Sequence, residues 1–260
     1  MLGLTGSEAR PKAKAAALKA LELDDSLAEP HTTLADNYLY HEWNFIKADQ
    51  EFRRAIAANP NYPTAHQWYA QCLYSVGRFD EAIAEAKRAQ ELDPLSPAIS
   101  GEVAAALFYA RRYDEAIEQS KKTLQMDENY SLAHLYLAIT YAQKKMYPEA
   151  VAEWQTMVTL LGDRALASTL GEAYRVSGFQ GFLQSLIDKW PNDWLAGERA
   201  YDTAQLFVLL GKKNEAVSRL QQAFTERESV MVFLRSEPIF DPLRSDPGFQ
   251  AIVKKMNFPE

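Results

Sequence analysis

GRFDEAIAEAKRAQELDP, residues 77–94, is the stretch that decides which fold this sequence predicts. It returns as RRYDEAIEQSKKTLQMDE at 111–128, where Tyr113 stands 34 residues after Phe79 and Asp-Glu-Ala-Ile follows both aromatic residues. Related copies lie at 45–60, 146–162 and 212–224. Because self-similarity at a fixed period is typical of repeat architectures, we predict a stack of helical units rather than a single globule.

The repeated residues resemble the tetratricopeptide repeat, a helix-turn-helix unit of about 34 residues. The copy at 63–96 carries the family pattern most fully. Its matching residues are His66, Tyr69, Ala70, Leu73, Gly77, Phe79, Ala82, Ala86, Ala89 and Pro94. The resemblance implies an all-α fold, a right-handed α-α superhelix (TPR solenoid) of stacked antiparallel helix pairs.

Small residues recur at one position in each helix of a unit. In the first helices they are Ala35, Ala70, Ala104, Ala138, Gly171 and Ala204, and in the second helices Ala48, Ala82, Ala116, Ala150 and Ala216. We expect these residues to face each other where two helices cross. A larger side chain at that point would push the pair apart.

The strength of the pattern divides the chain into four parts. Residues 1–27 are predicted to be a partial N-terminal repeat with only its second helix, and 28–162 to be four regular units. Residues 163–228 are predicted to form two degenerate helix pairs, and 229–260 C-terminal capping helices. The first regular unit carries one extra residue near His41–Asn44, which we expect to lie in the turn between its helices.

The ending FDPLRSDPGFQAIVKKM, residues 240–256, provides a second resemblance. It is similar to the closing segment of bacterial multidomain signalling proteins, including winged-helix regulators, serine/threonine kinases and nucleotide cyclases. The resemblance implies the repeat module of such a protein. The alternative is an accessory region of a kinase or cyclase whose catalytic domain is absent from this sequence. In either case no DNA-binding or catalytic activity carries over.

Composition and charge narrow the function classes. There are 35 acidic against 28 basic residues, for a net charge of -7, which argues against a nucleic-acid partner. No apolar run is long enough to span a bilayer, so we expect no membrane partner. The single cysteine, Cys72, requires no oxidising compartment. We therefore predict a soluble, cytoplasmic protein.

Three histidines, His31, His66 and His134, resemble candidate metal ligands at first. They occupy the same position in different units, where stacked helices lie about 10 Å apart. Two such rings cannot share a metal whose bonds are about 2 Å long, so we expect packing roles and no metal site. We find no catalytic motif and predict a non-enzymatic protein without a cofactor.

The predicted binding site is the concave groove lined by the first helices of the units. The family positions that point into this groove carry over to Asp36, Tyr40, Gln67, Gln71, Tyr74, Gly101, Ala105, Phe108, Tyr109, Leu135 and Ile139. We expect Gly101 and Ala105 to leave room beside Phe108 and Tyr109 for an apolar side chain of a protein or peptide partner.

A second interpretation of the groove stays open at this point. Its aromatic and aliphatic residues could be covered by the chain's own C-terminal segment. A second copy of the chain could also cover them, giving a homodimer through the groove or the terminal helices. Partner binding, coverage by the C-terminal segment and coverage by a second copy all predict the same apolar inner face. All three interpretations therefore agree with the sequence.

Overall fold

The computed structural model describes residues 6–189 and 199–259, and within these ranges the chain is all α-helical. Helix pairs follow one another along the chain, as the resemblance implies. The N-terminal half contains α1 Gly6–Leu23, α2 Ala28–Asp36, α3 Phe45–Ala58, α4 Pro63–Ser75, α5 Phe79–Leu92, α6 Pro97–Tyr109 and α7 Tyr113–Met126. The C-terminal half contains α8 Ser131–Gln143, α9 Tyr147–Leu160, α10 Arg164–Lys189, α11 Arg199–Leu209, α12 Lys213–Glu226 and α13 Pro247–Lys255.

The alanines at the predicted helix crossings are all buried. The alanines of this set have no exposed surface: Ala35, Ala48, Ala70, Ala82, Ala104, Ala116, Ala138, Ala150, Ala204 and Ala216. Gly171 is partly exposed, and the side chain of Gln155 lies over it. The crossings therefore bring the two helices of a unit close together, and larger neighbours such as Leu73 and Leu137 fill the space around them.

The turns within the units end in a left-handed residue. Gly77 and Gly211 have φ of 88° and 75°, and Arg111 and Lys145 occupy equivalent positions with φ of 62° and 61°. Glycine takes this conformation without strain, whereas a residue with a Cβ atom is strained there. Two of these turns therefore have a residue, Arg111 or Lys145, in a backbone conformation that its Cβ atom disfavours.

The extra residue of the first unit affects the end of the first helix as well as the turn that follows it. The chain widens into a π-helical turn at Asn37–His41, directly after α2, and Trp43 then takes φ of 54°. The end of the first helix therefore accommodates much of the insertion, not the inter-helix turn alone. A wider turn lets one additional residue fit without changing the register of α3.

The first degenerate unit is bent at Gly178. Its two helices run together as α10, and Gly178, with φ of 62°, breaks the helical geometry between them. In its second half, Leu183 is fully buried. Part of the predicted pair of degenerate units, residues 190–198, lies outside the described residues. The four-part division of the chain stays a prediction.

The C-terminal segment, residues 228–259, turns back onto the first units. It consists of two short 3-10 helices, Ser229–Phe233 and Pro238–Leu243, followed by α13. Asp246 caps α13, because its Oδ1 accepts from the Gly248 and Phe249 amides at 2.8 and 3.1 Å. The last residues also reach the start of the array.

Aromatic contacts join the two ends of the array. The ring of Phe258 lies 4.7 Å from that of Phe45, and Phe224 lies 5.6 Å from Trp43. The Arg227 guanidinium lies 4.4 Å from the centre of the Trp43 ring. Because these partners are far apart in sequence, the array curls until its last units meet its first, and the inner face becomes partly enclosed.

Candidate functional site

The inner face is covered at its centre by Phe233 of the C-terminal segment. The Phe233 ring lies 5.9 Å from Tyr40, 5.4 Å from Tyr74 and 5.5 Å from Tyr109. Tyr74 and Tyr109 stack on each other at 4.3 Å. These tyrosines come from successive first helices, and the chain's own segment covers the middle of the predicted groove.

Two cavities remain beside Phe233, and together they contain most of the predicted groove residues. The first, which we call the polar chamber, is lined by Tyr40, Gln67, Gln71, Tyr74, Ala98, Gly101, Glu102, Ala105, Tyr130, Leu132, Tyr136 and Phe233. The second, the apolar chamber, shares Leu132, Tyr136 and Phe233 with the first. Its other apolar and aromatic lining residues are Tyr109, Leu135, Ile139, Trp154, Met157, Leu161, Tyr201, Leu206, Leu209, Val230 and Ile239, and its polar ones are Ser131, Asp202, Gln205 and Glu237. Asp36 and Phe108 line neither chamber.

The expected apolar pocket beside Phe108 is replaced by a different arrangement. Phe108 is fully buried and packs against Tyr113 and Tyr136, so it belongs to the core. The space beside Gly101 is filled by Tyr130, because a Cβ atom on Gly101 would lie 3.0 Å from the Tyr130 ring. The room that the small residues leave is therefore enclosed by tyrosines and not open to an apolar side chain beside Phe108.

A chain of hydrogen bonds crosses the polar chamber, a cavity of about 230 Å³. The Tyr40 hydroxyl donates to Gln71 Oε1 at 2.5 Å, and Gln71 Nε2 donates to Glu102 Oε2 at 2.6 Å. The three residues belong to the first helices of three successive units, so the network ties those units together across the inner face. Sequence reasoning named Tyr40 and Gln71 but missed Glu102.

Glu102 is 6% exposed and is the one charged residue of helix α6. Burial raises its pKa to about 7, although Gln71 and the nearby Tyr74 hydroxyl partly counter that effect. Its Oε1 has no partner of ordinary hydrogen-bond geometry among the described residues. A lone carboxylate within PAISGEVAAALFY was the sequence signal that could have identified it.

The apolar chamber has a volume of about 270 Å³ and lies among α8, α9 and α11. Leu132 and Leu161 at its edge are each 48% exposed, and the walls include Ile139 and Leu206. Glu237 also lines it, and burial raises the pKa of this carboxyl to about 7. This chamber is the part of the inner face that the C-terminal segment borders without filling.

The three histidines form a repeated bridge within their units. Each Nδ1 contacts a second-helix carboxylate: Glu51 at 2.6 Å, Glu85 at 2.5 Å and Glu153 at 2.6 Å. Each Nε2 contacts a backbone carbonyl of the preceding link, at 3.2, 3.0 and 3.1 Å. The rings thus join both helices to the link between units, a structural role that rests on hydrogen bonds and not on packing alone.

Two further absences concern only the described residues. Over 6–189 and 199–259, no three His, Cys, Asp or Glu side chains are grouped so that they could hold a metal ion. In the same ranges, no helix combines the length and apolar character that a bilayer crossing requires.

Cys72 is buried and unpaired, and burial raises the pKa of its thiol to about 12, which leaves little reactive thiolate.

The consecutive helix pairs have the architecture of a solenoid of tetratricopeptide repeats. Two family models described as tetratricopeptide repeat match residues 42–105 and 104–159. Proteins with such repeats mediate protein–protein interactions and scaffolding. No curated protein sequence matches this chain.

Solved structures show the same fold at low sequence identity. PilF of Pseudomonas aeruginosa is 19% identical with a TM-score of 0.53, over 95% of this chain and 90% of that one. PilW, a type IV pilus biogenesis factor, is 16% identical with a TM-score of 0.51, over 87% and 98%.

A third structure is the APC/C hetero-tetramer Cut9-Hcn1, which is 15% identical with a TM-score of 0.60. That match spans 95% of this chain but only 46% of the other chain. At these identities the likeness is one of architecture, and partners do not transfer with it.

Proposed function

We propose that this chain is a non-catalytic interaction module that binds a short apolar segment of a protein partner in the apolar chamber. One observation carries the proposal: the chain's own C-terminal segment leaves this cavity unfilled, with Leu132 and Leu161 exposed at its edge. An apolar side chain that enters the cavity loses contact with water, and the surrounding side chains supply packing partners.

The chemistry of the walls supports one apolar anchor rather than a long extended peptide. Leu135, Ile139 and Leu206 offer aliphatic surface, whereas Phe233 closes the route towards the first units. A partner would therefore insert a single leucine-like or aromatic residue from a helix or strand. Six other predicted groove residues would contribute through the adjoining polar chamber: Tyr40, Gln67, Gln71, Tyr74, Gly101 and Ala105.

A peptide display selection tests this function. Peptides enriched on the wild-type protein should carry an apolar anchor, and Leu161→Asp should weaken them at least about tenfold, because charge is costly in a desolvated pocket. Leu95→Asp is the matched control, since Leu95 is 85% exposed and lines neither chamber. Equal binding to both variants, or no enriched peptide, would refute the proposal.

We further propose that this module belongs to a bacterial signalling protein of the cytoplasm. The support is the ending at 240–256, which resembles the closing segment of such proteins. An open reading frame that joins this chain to a winged helix, kinase or cyclase domain is the expected genomic finding. Light scattering of the purified chain would separate a monomer from a homodimer formed through the inner face.

A further inference from the structure

The lining of the polar chamber combines aromatic rings with a carboxylate. Of the described residues that line it, five are aromatic, Glu102 is the one carboxylate, and none is Lys, Arg or His. Aromatic faces carry partial negative charge, and they attract a cation held close to them. The aromatic rings and the Glu102 carboxylate therefore both favour a positively charged ligand.

The unpaired Oε1 atom of Glu102 also favours a positively charged ligand. Gln71 occupies Oε2 at 2.6 Å, whereas Oε1 has no partner of ordinary hydrogen-bond geometry in the described structure. A buried carboxylate oxygen without a partner is costly, and a donor that carries positive charge would satisfy it best. The Tyr74 hydroxyl is close enough to lower the pKa of Glu102. It does not form a hydrogen bond of ordinary geometry with Oε1.

The ligand set also discriminates between kinds of cation. A metal ion needs several oxygen or nitrogen ligands at short distances, and the lining residues offer one carboxylate with amides and hydroxyls. An ammonium group needs fewer directed contacts, because its charge interacts with ring faces as well as with the carboxylate. The volume of about 230 Å³ leaves room for an alkyl chain behind such a head group.

We propose that the polar chamber binds an organic ammonium group, whose charged head lies against Glu102 and among Tyr40, Tyr74 and Tyr130. Exposed Ala98 and Leu132 mark the entrance, and buried Glu102 and Tyr74 form the inner wall. The ammonium group could belong to a free amine or to a lysine side chain of a polypeptide. This site does not depend on the apolar chamber, so either proposal can fail alone.

A titration with n-butylammonium tests the site on the full chain. Chemical shifts of the Ala98 and Ala105 methyl groups, which both line the chamber, report binding by NMR. The expected result is saturable shifts with n-butylammonium and none with n-butanol, which has a similar shape but no charge. Equal response to both compounds, or none to either, overturns the proposal without requiring any variant.

Two matched substitutions locate the charge. Glu102→Gln should weaken n-butylammonium binding at least about tenfold, because it removes the buried counter-charge. Glu237→Gln is the control: this carboxyl is equally buried but lines only the apolar chamber, so binding should be unchanged. Tyr130→Leu should weaken binding about three- to fivefold through loss of one ring. Unchanged binding in Glu102→Gln refutes the site.

Two further ligands identify the source of the amine. A capped tripeptide with a central lysine that binds more tightly than n-butylammonium indicates a polypeptide partner. Spermidine that binds more tightly while the tripeptide is excluded indicates a free amine. Both results support the ammonium site, and competition by either ligand with n-butylammonium would show that they share it.

Discussion

Arg111 and Asp241 form a two-pronged ion pair that fastens the C-terminal segment to the third regular unit. Nη2 donates to Oδ1 at 2.6 Å and Nε donates to Oδ2 at 2.9 Å, between residues 130 apart in sequence. The guanidinium holds the pKa of Asp241 below its usual range, against the opposing effect of burial. Arg111 makes this contact from a left-handed backbone position, where the equivalent residue of the preceding unit is Gly77.

Two single variants, Arg111→Gly and Lys145→Gly, should distinguish the contribution of the ion pair to stability from that of the backbone strain. Lys145→Gly relieves a left-handed residue without removing a contact to the C-terminal segment, and it should stabilise the protein by about 1 kcal/mol or less. Arg111→Gly relieves the same strain but loses the half-exposed ion pair, so it should gain about 0.5–1 kcal/mol less than Lys145→Gly. Urea unfolding of the two variants measures the difference.

The outcome bears on what holds the inner face closed. If Arg111→Gly is as stabilising as Lys145→Gly, the ion pair adds nothing to folding, and aromatic packing alone retains the segment. Hydrogen exchange over 229–243 gives an independent check. Faster exchange there in Arg111→Gly than in Lys145→Gly would show that the ion pair acts on the segment and not on its own turn.

Phe233→Ala should open the centre of the inner face. The ring packs on Tyr40, Tyr74 and Tyr109 and lines both chambers, so its removal joins them into one cavity. Because Phe233 is partly buried, we expect a loss of about 2–3 kcal/mol, below the range for a fully buried phenylalanine. Urea unfolding measures the loss.

Phe258→Ala provides the comparison for that variant. Phe258 packs on Phe45 at the end of the array and lines neither chamber. It should also lose stability, but it should leave methyl shifts of Ala105 unchanged, whereas Phe233→Ala should alter them. Identical spectra for the wild type and Phe233→Ala would contradict the assignment of Phe233 as the divider between the chambers.

The sequence predicted the repeats well because each helix crossing depends on nearby residues. Ala70 and Ala82 identify their crossing within one unit, and both are fully buried. The position of Phe233 is a different matter, since it depends on the accumulated curvature of all the units between Tyr40 and the C-terminal segment. No local pattern encodes that curvature.

Glu102 was missed for a related reason. Family positions name the residues that point into a groove, and Glu102 lies one position after Gly101, outside that set. It reaches the chamber because Tyr130 closes over Gly101 and Gln71 extends across from the preceding unit. Side chains of two neighbouring units therefore define its environment, and only the stacked array brings them together.

The histidine bridges make stability depend on pH. In His66, burial opposes protonation, but hydrogen bonds to Glu85 and to the Pro60 carbonyl outweigh it and raise the pKa above 6.5. In His134, the hydrogen bond to Glu153 is the main cause of the same shift. Both ring nitrogens face acceptors, so the protonated ring satisfies both contacts, and the neutral ring can donate only one hydrogen bond.

The sign of the effect follows from these raised pKa values. Their stabilisation is fully present below the unfolded value of 6.5 and is lost as the pH rises through the higher folded values. Replacing both His66 and His134 with Gln should therefore cost about 1–2 kcal/mol at pH 6, and less at pH 8.5. His41→Gln is the control, because His41 is exposed and forms no such bridge. Unfolding free energies at the two pH values measure the effect, and a cost that is equal at both would mean that the bridges are not charged in the folded protein.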